Sequence, residues 1–206
     1  MKRAVVTAFI TISVLSAASG QTAGPRPGAG RCALRLADAP AVRGLRLGMS
    51  ADQLLALFPG SRENPDIKSK LEWARRAPHY GLANLGFTRG DYPTAALFTN
   101  VTQFNIQLFD ERVTDIGIYY GGPPWGSVDE MVARVSEALA LPGVEEWDAS
   151  GPSTKALRCE GFEVTVTAYG DGTCCSSLRL RVPAVDQRVR ERRVAEEEKA
   201  RREFKP

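Results

Sequence analysis

Apolar and polar side chains alternate with a period of two in several short stretches of this chain. Phe104, Ile106 and Leu108 alternate with Asn105 and Gln107, and after Asp110-Glu111-Arg112 the apolar side resumes with Thr114, Ile116, Ile118 and Tyr120. Further on, Phe162, Val164, Val166 and Ala168 alternate with Glu163, Thr165 and Thr167. Beyond Gly170-Asp171-Gly172-Thr173, Leu178, Leu180 and Val182 alternate with Arg179 and Arg181. Such alternation predicts antiparallel hairpins with one face on a core and the other in water.

The helical pattern occurs twice as well, and in related form. Ser50-Ala51-Asp52-Gln53-Leu54-Leu55-Ala56 parallels Ser127-Val128-Asp129-Glu130-Met131-Val132-Ala133. Each copy reads as a capping box, with a Ser that caps the backbone three residues on and a Gln53 or Glu130 that reaches back. Asp52 and Asp129 fall in the first turn, where negative charge suits the helix dipole. Met49 is placed to staple onto Leu54, and both helices are expected to stop at a Pro-Gly pair, Pro59-Gly60 and Pro142-Gly143. Leu54, Leu55 and Phe58 form one buried face; Met131, Val132, Val135 and Leu139 form the other.

The expected architecture is α+β: two tandem helix-plus-β-hairpin units that form an antiparallel sheet with helices on one face, followed by a charged C-terminal helix. The units span 32–122 and 123–182. An insertion at 61–96 interrupts the first, with a short basic helix expected within Asp66–Ala77 and a loop or short strand in Gly81–Pro93. Residues 183–206 are charge-dense, with Glu197–Arg201 and Glu198–Arg202 spaced as i,i+4 pairs.

The first residues add an address. Lys2 and Arg3 precede an apolar run from Ala4 to Ala18, which decays into small residues through Gly20. This predicts a cleavable signal peptide over 1–20 and a periplasmic or secreted destination. The run is too short for a membrane anchor, which needs about 20 apolar residues. The first Cys, Cys32, follows Arg31 rather than a small residue, so the pattern is not that of a lipoprotein. The Gly- and Pro-rich stretch 21–31 predicts a flexible leader.

In an exported chain four Cys read first as disulfides. In the expected second hairpin Cys159 lies at the open end, while Cys174 and Cys175 lie at the turn, too far for a bridge. Cys32–Cys159 is therefore the favoured pair, leaving Cys174 and Cys175 to form a vicinal bridge, stay free or link to another chain. The composition is that of a globular domain, 43% hydrophobic and 25% charged, and a net charge of +3 gives no argument for nucleic acid.

The run Arg43-Gly44-Leu45-Arg46-Leu47-Gly48-Met49-Ser50 leads into a short helix closing at Phe58-Pro59-Gly60. Leu157-Arg158-Cys159-Glu160-Gly161-Phe162-Glu163-Val164 follows later, and the chain closes on Phe204-Lys205-Pro206. In these features it resembles a family of bacterial exported proteins of uncharacterised function. The duplicated helix-plus-hairpin unit is similar to the fold shared by the β-lactamase inhibitor protein and the small lipoprotein of the outer-membrane β-barrel assembly machine. That resemblance implies a binding or scaffolding module rather than an enzyme, and carries over no functional residues.

Candidate chemistry is sparse. His79 is the single histidine, so multi-His zinc sites and HExxH pairs are excluded. No GxSxG elbow, P-loop or GxGxxG occurs, and neither a cofactor nor a metal is expected. Asn100-Val101-Thr102 matches a glycosylation sequon and carries little weight. Asp91, Asp110, Glu111 and Asp115 are the acids left for two-carboxylate chemistry. Trp125 and Trp147 flank the second helix and are expected to close the core.

The remaining candidate is the wet face of the sheet: Asn105, Gln107, Asp115, Tyr119, Glu163, Thr165, Thr167, Arg179 and Arg181. The expected function is a non-catalytic binding or scaffolding module for another protein or an envelope component, without nucleic acid. The alternatives are a small carboxylate-dependent hydrolase built on the 61–96 insertion, and a structural envelope protein held by its basic tail.

Overall fold

The computed structural model describes residues 32–76, 79–92, 97–169 and 176–204. The expected signal peptide and leader, the Gly170–Thr173 turn, and Cys174 and Cys175 lie outside these residues.

The fold is α+β, with a single eight-stranded sheet. Its strands are β1 (Cys32–Arg35), β2 (Leu82–Thr88), β3 (Val101–Phe109), β4 (Arg112–Tyr120), β5 (Asp148–Gly151), β6 (Thr154–Glu160), β7 (Glu163–Thr167) and β8 (Ser177–Arg181). The helices are α1 (Ala51–Ala56), α2 (Pro65–Ala74), α3 (Val128–Leu139) and α4 (Ala184–Glu203). Across the sheet the order is β1, β6, β7, β8, β4, β3, β2, with β5 also beside β6. β2–β3–β4 and β6–β7–β8 are each an up-and-down run of three antiparallel strands. They join through their last strands, β4 and β8, also antiparallel.

Two sequence expectations change here. The sheet is mixed, because β1 runs parallel to β6. β5 pairs with the start of β6 at Thr154 and Ala156, so the end at Cys159 and Glu160 remains for β1. Each expected hairpin is also widened by a strand. β2 does alternate, with Ala83, Leu85 and Phe87 buried, but Ala83 and Gly86 weaken the signal. In β6 adjacent Ala156 and Leu157 are both buried, which breaks the period of two.

Cys32 and Cys159 face each other across the β1–β6 ladder and form the favoured disulfide, with their Cα atoms 4.5 Å apart. The bridge ties positions 127 residues apart.

The first capping box forms in full: the Ser50 hydroxyl accepts from the Gln53 N–H at 3.2 Å, and the Gln53 side chain accepts from the Ser50 N–H at 2.9 Å. The second forms by half. The Ser127 hydroxyl accepts from the Glu130 N–H at 3.1 Å, but the Glu130 carboxylate accepts from the Gly126 N–H instead. Ser127 is more extended (φ −159°, against −74° at Ser50), which turns its own N–H away from the helix. Both helices end before their Pro-Gly pairs: α3 stops where Ala140 takes a left-handed conformation (φ 51°) and the Leu141 N–H bonds back to the Ser136 carbonyl. Inside the insertion, Asn64 caps α2 through the N–H groups of Asp66 and Ile67, with Pro65 in the first helical position.

Helices α1, α2 and α3 pack on β4, on β2, and on β6 and β7 respectively. Between α1, α2 and the strands β2–β4 lies an aromatic cluster, in which Phe58 stacks on Phe87 at 3.8 Å and meets Tyr92, Phe98 and Phe104 edge-on. Under α3 the core is aliphatic, from Met131, Val132, Leu157, Val164, Val166, Leu178 and Leu180. Trp147 closes it, buried, with its indole N–H on the Pro142 carbonyl at 3.1 Å. Trp125 is half-buried against the same core.

β3 and β4 turn through Asp110 and Glu111, both left-handed (φ 50° and 61°), as a two-residue hairpin of this twist requires. This turn also gathers the helices. The Ala51 N–H at the start of α1 donates to the Glu111 carbonyl. Arg75, just past α2, pairs with the Glu111 carboxylate at 2.7 Å. From α4, Arg192 grips Asp110 with two hydrogen bonds (2.7 and 2.6 Å), donates to the Tyr80 carbonyl, and lies over the Phe109 ring at 4.4 Å.

The charged tail is thus a helix fixed near its start by buried Val185 and near its middle by Arg192. Beyond Arg192 it is exposed. Its Glu198–Arg202 pair forms as expected, whereas Glu197 turns to Arg193. Among the described residues no helix is long and apolar enough to cross a membrane.

Candidate functional site: the open face of the sheet

With α1, α2 and α3 on one side, the outward positions of six strands share the other, where the start of α4 reaches the edge through Asp186, 3.7 Å from Arg181. Their registers align in three rows that cross the sheet. The first runs Thr88, Gln103, Tyr119, Ser177, Thr167, Thr154. The second runs Gly86, Asn105, Gly117, Arg179, Thr165, Ala156. The third runs Asn84, Gln107, Asp115, Arg181, Glu163, Arg158.

All nine residues expected on the wet face therefore do lie on one face. Seven of them (Asn105, Gln107, Asp115, Tyr119, Thr165, Thr167 and Arg179) line an open hollow of about 600 Å³. Glu163 and Arg181 sit beside it in the third row. Asn84, Gly86, Gly117 and Ser177 also line it, together with Leu85, Ile106 and Leu178 of the same strands, and none of these is among the residues expected there. Gly117 and Ser177 were legible in principle, being two residues from Asp115 and Arg179 on strands already recognised; Asn84 and Gly86 depended on seeing β2.

The charges of the face are matched among themselves. Asp115 is buried, its side chain 12% exposed, and Arg179 holds it through three contacts of 2.6 to 2.9 Å. That carboxylate holds the Arg179 guanidinium above its usual pKa. Glu163 lies between Arg158 (3.5 Å) and Arg181 (3.4 Å), and Arg158 also reaches Asp148 at 2.7 Å. The β2–β3 side is instead uncharged. There the Gln107 amide N–H donates to the Asn84 side-chain oxygen at 3.1 Å, and the Gln103 amide N–H to that of Asn105 at 2.6 Å.

The acids considered for two-carboxylate chemistry are each held by a different partner. Asp91 accepts from the Thr88 hydroxyl at 2.6 Å, Asp110 is gripped by Arg192, Glu111 by Arg75 and Asp115 by Arg179. The Arg192 hydrogen bonds hold the Asp110 carboxyl below its usual pKa, and burial pushes the Tyr120 phenol up. His79 stacks near Trp73 with ring centres 5.4 Å apart. Among the described residues no group of His, Cys, Asp and Glu is placed to hold a metal ion.

Comparison of the chain with family models, with curated proteins and with solved structures finds no match.

Proposed function

We propose that this chain is an exported, non-catalytic module that takes another protein or a cell-envelope component on the open face of its sheet. The observation that carries the reading is the hollow itself: three polar rows in register, concave enough to bury Asp115, and uncovered by any described element. A face whose charges are already paired costs less to desolvate than one bearing lone charges, and so suits close contact with a partner. The Cys32–Cys159 bridge agrees with an oxidising compartment, where such bonds persist.

The reading includes duplication. Each half sets a Ser-capped helix before a three-stranded meander, and the halves meet through equivalent last strands, β4 and β8. This order is what a duplicated helix-plus-hairpin ancestor, of the kind resembled by the β-lactamase inhibitor protein, leaves after the second unit has turned antiparallel to the first.

Affinity capture from a native envelope extract tests the proposal, with the chain from residue 21 as bait and Thr165→Trp as the control that fills the hollow. One component recovered by the wild type and lost with Thr165→Trp is the expected result. Equal recovery by both, or recovery by neither, would sink it.

A further inference from the structure

The hollow owes its depth to two glycines that neither backbone conformation nor crowding explains. Gly86 and Gly117 lie inside β2 and β4, on either side of Asn105 in the middle row. Neither is among the positive-φ glycines. A Cβ at Gly86 would meet nothing closer than the Asn105 side-chain oxygen at 3.8 Å, and one at Gly117 nothing closer than the Asn105 carbonyl at 3.4 Å. Glycine in a strand interior weakens the strand relative to alanine and often marks a place where a ligand or another backbone approaches closely. Here Gly86 leaves an exposed, bare stretch of strand beside Asn105, while Gly117 on the other side lies buried under Asn105 and the edge of the Tyr119 ring, 3.6 Å from where its Cβ would lie.

The groups around that space define what fits it. Asp115 is matched by Arg179 and Glu163 by Arg181 and Arg158, so the floor offers no lone charge to a charged ligand. What remains is amide and hydroxyl. Each carboxamide carries donors and an acceptor. The two amide pairs consume one donor and one oxygen apiece, which leaves the Asn84 and Asn105 N–H groups and the Gln103 and Gln107 oxygens without another described partner. Thr165, Thr167 and Ser177 also line the hollow; the Thr165 hydroxyl donates to Glu163 at 3.4 Å and that of Thr167 pairs with Thr154 at 3.2 Å, which leaves each with lone-pair capacity to accept, and Tyr119 contributes a half-buried ring at its side.

We infer that the hollow binds a neutral oligosaccharide, an inference that rests on the open face being the binding surface. Sugar hydroxyls donate and accept at once, as this lining requires, and the CH face of a pyranose can lie on the Tyr119 ring. The volume falls in the range of small-molecule sites. It is open at the top, as a site for a segment of a longer glycan strand has to be.

Amide NMR titration of the intact chain tests this, with chitotetraose and cellotetraose as probes. Saturable shifts at Gly86, Gly117 and the side-chain amides of Asn84, Asn105 and Gln107 are expected with one or both probes. The difference between them sorts an N-acetylated glycan from a plain one. Affinity should hold when salt is raised, since no charge pairing is involved. Asn105→Ala should weaken binding roughly three- to tenfold, the worth of about one hydrogen bond. Gly86→Trp fills the space without touching the core, and should weaken it more than roughly tenfold while leaving core resonances in place. Equal binding by wild type and Gly86→Trp, or tighter, salt-sensitive binding of an acidic oligosaccharide, would overturn the inference. No shift with either probe would also overturn it. If envelope capture still depends on Thr165 in that case, the binding face stands and the glycan falls; if capture fails too, both fall.

Discussion

The two halves of the sheet, β2–β4 and β6–β8, are each an antiparallel run of three strands, and they are packed with different side chains. Under β2–β4 the core is a cluster of aromatic rings centred on Phe58; under β6–β8 it is mainly aliphatic, with Phe162 as its one fully buried ring among the described residues, lidded by Trp147 and anchored at its edge by the Cys32–Cys159 bridge. The open face divides at the same place. Its first half carries amides and glycines, and its second half hydroxyls and a ladder of alternating charges. The three-stranded arrangement thus depends on which positions point inward and where helices are capped, while the identity of the buried groups is free to differ.

The largest expected effect is at the aromatic centre. Phe58→Ala should cost about 3–5 kcal/mol in chemical denaturation, because a ring in contact with four others leaves a cavity they cannot all close. A loss under about 2 kcal/mol would mean that the first half repacks as freely as an aliphatic core, and the contrast would fail. Removing the bridge by Cys32→Ser with Cys159→Ser should cost about 2–5 kcal/mol, toward the upper end because the closed loop is long. Hydrogen exchange should then rise first at β1 and the neighbouring end of β6 while β3 stays protected. Equal deprotection of both halves would show that the bridge supports the whole sheet rather than one edge.

Within the charge ladder, Arg179→Ala leaves Asp115 buried and without its partner, and should cost about 1.5–3 kcal/mol in thermal or chemical unfolding. Arg181→Ala leaves Glu163 still beside Arg158 and should cost under about 1 kcal/mol. Similar losses from the two would erase the distinction between the buried pair and its shared neighbour.

The smallest effect concerns α4. The Asp110 carboxyl is held below its ordinary pKa by the Arg192 hydrogen bonds, so its contribution is present above the unfolded value of about 3.9 and is lost as pH falls through the lowered folded value. The docking of α4 should therefore be unchanged from neutral pH to about 4 and weaken below that. Asp110→Asn, which tolerates the left-handed turn, should loosen it at neutral pH by about 0.2–1 kcal/mol, read as faster exchange in Ala184–Glu203.

The sequence displayed the four alternating strands, both Ser caps and the favoured disulfide because each is a local or a geometric signal. β2 showed only as a loop or short strand within Gly81–Pro93, and β6 escaped, because Ala83, Gly86 and Ala156 blur the contrast between faces. The parallel pairing of β1 has no local signature at all, since it depends on a partner more than a hundred residues away. For the same reason the face could be named residue by residue while its depth could not: the hollow comes from registering Gly86 beside Asn105 and Gly117. Asp110 and Glu111 read as turn residues, and nothing nearby announced that Arg75 and Arg192 would hold them.

The order in which the strands become available has its own consequence. β1 leads the described chain, yet its neighbour β6 is made only after α1 to α3 and four other strands. During synthesis that first strand has no β6 to pair with, while β2, β3 and β4 can already assemble beneath α1 and α2. Closing so long a loop is slow relative to local pairing. Cys32 therefore has no partner until β6 has been made, and the disulfide, whose two electrons and two protons must pass to an external oxidant, closes only once Cys159 has arrived beside it. The bond thus records completion of the fold, because a chain cut short before Cys159 would leave Cys32 without this partner.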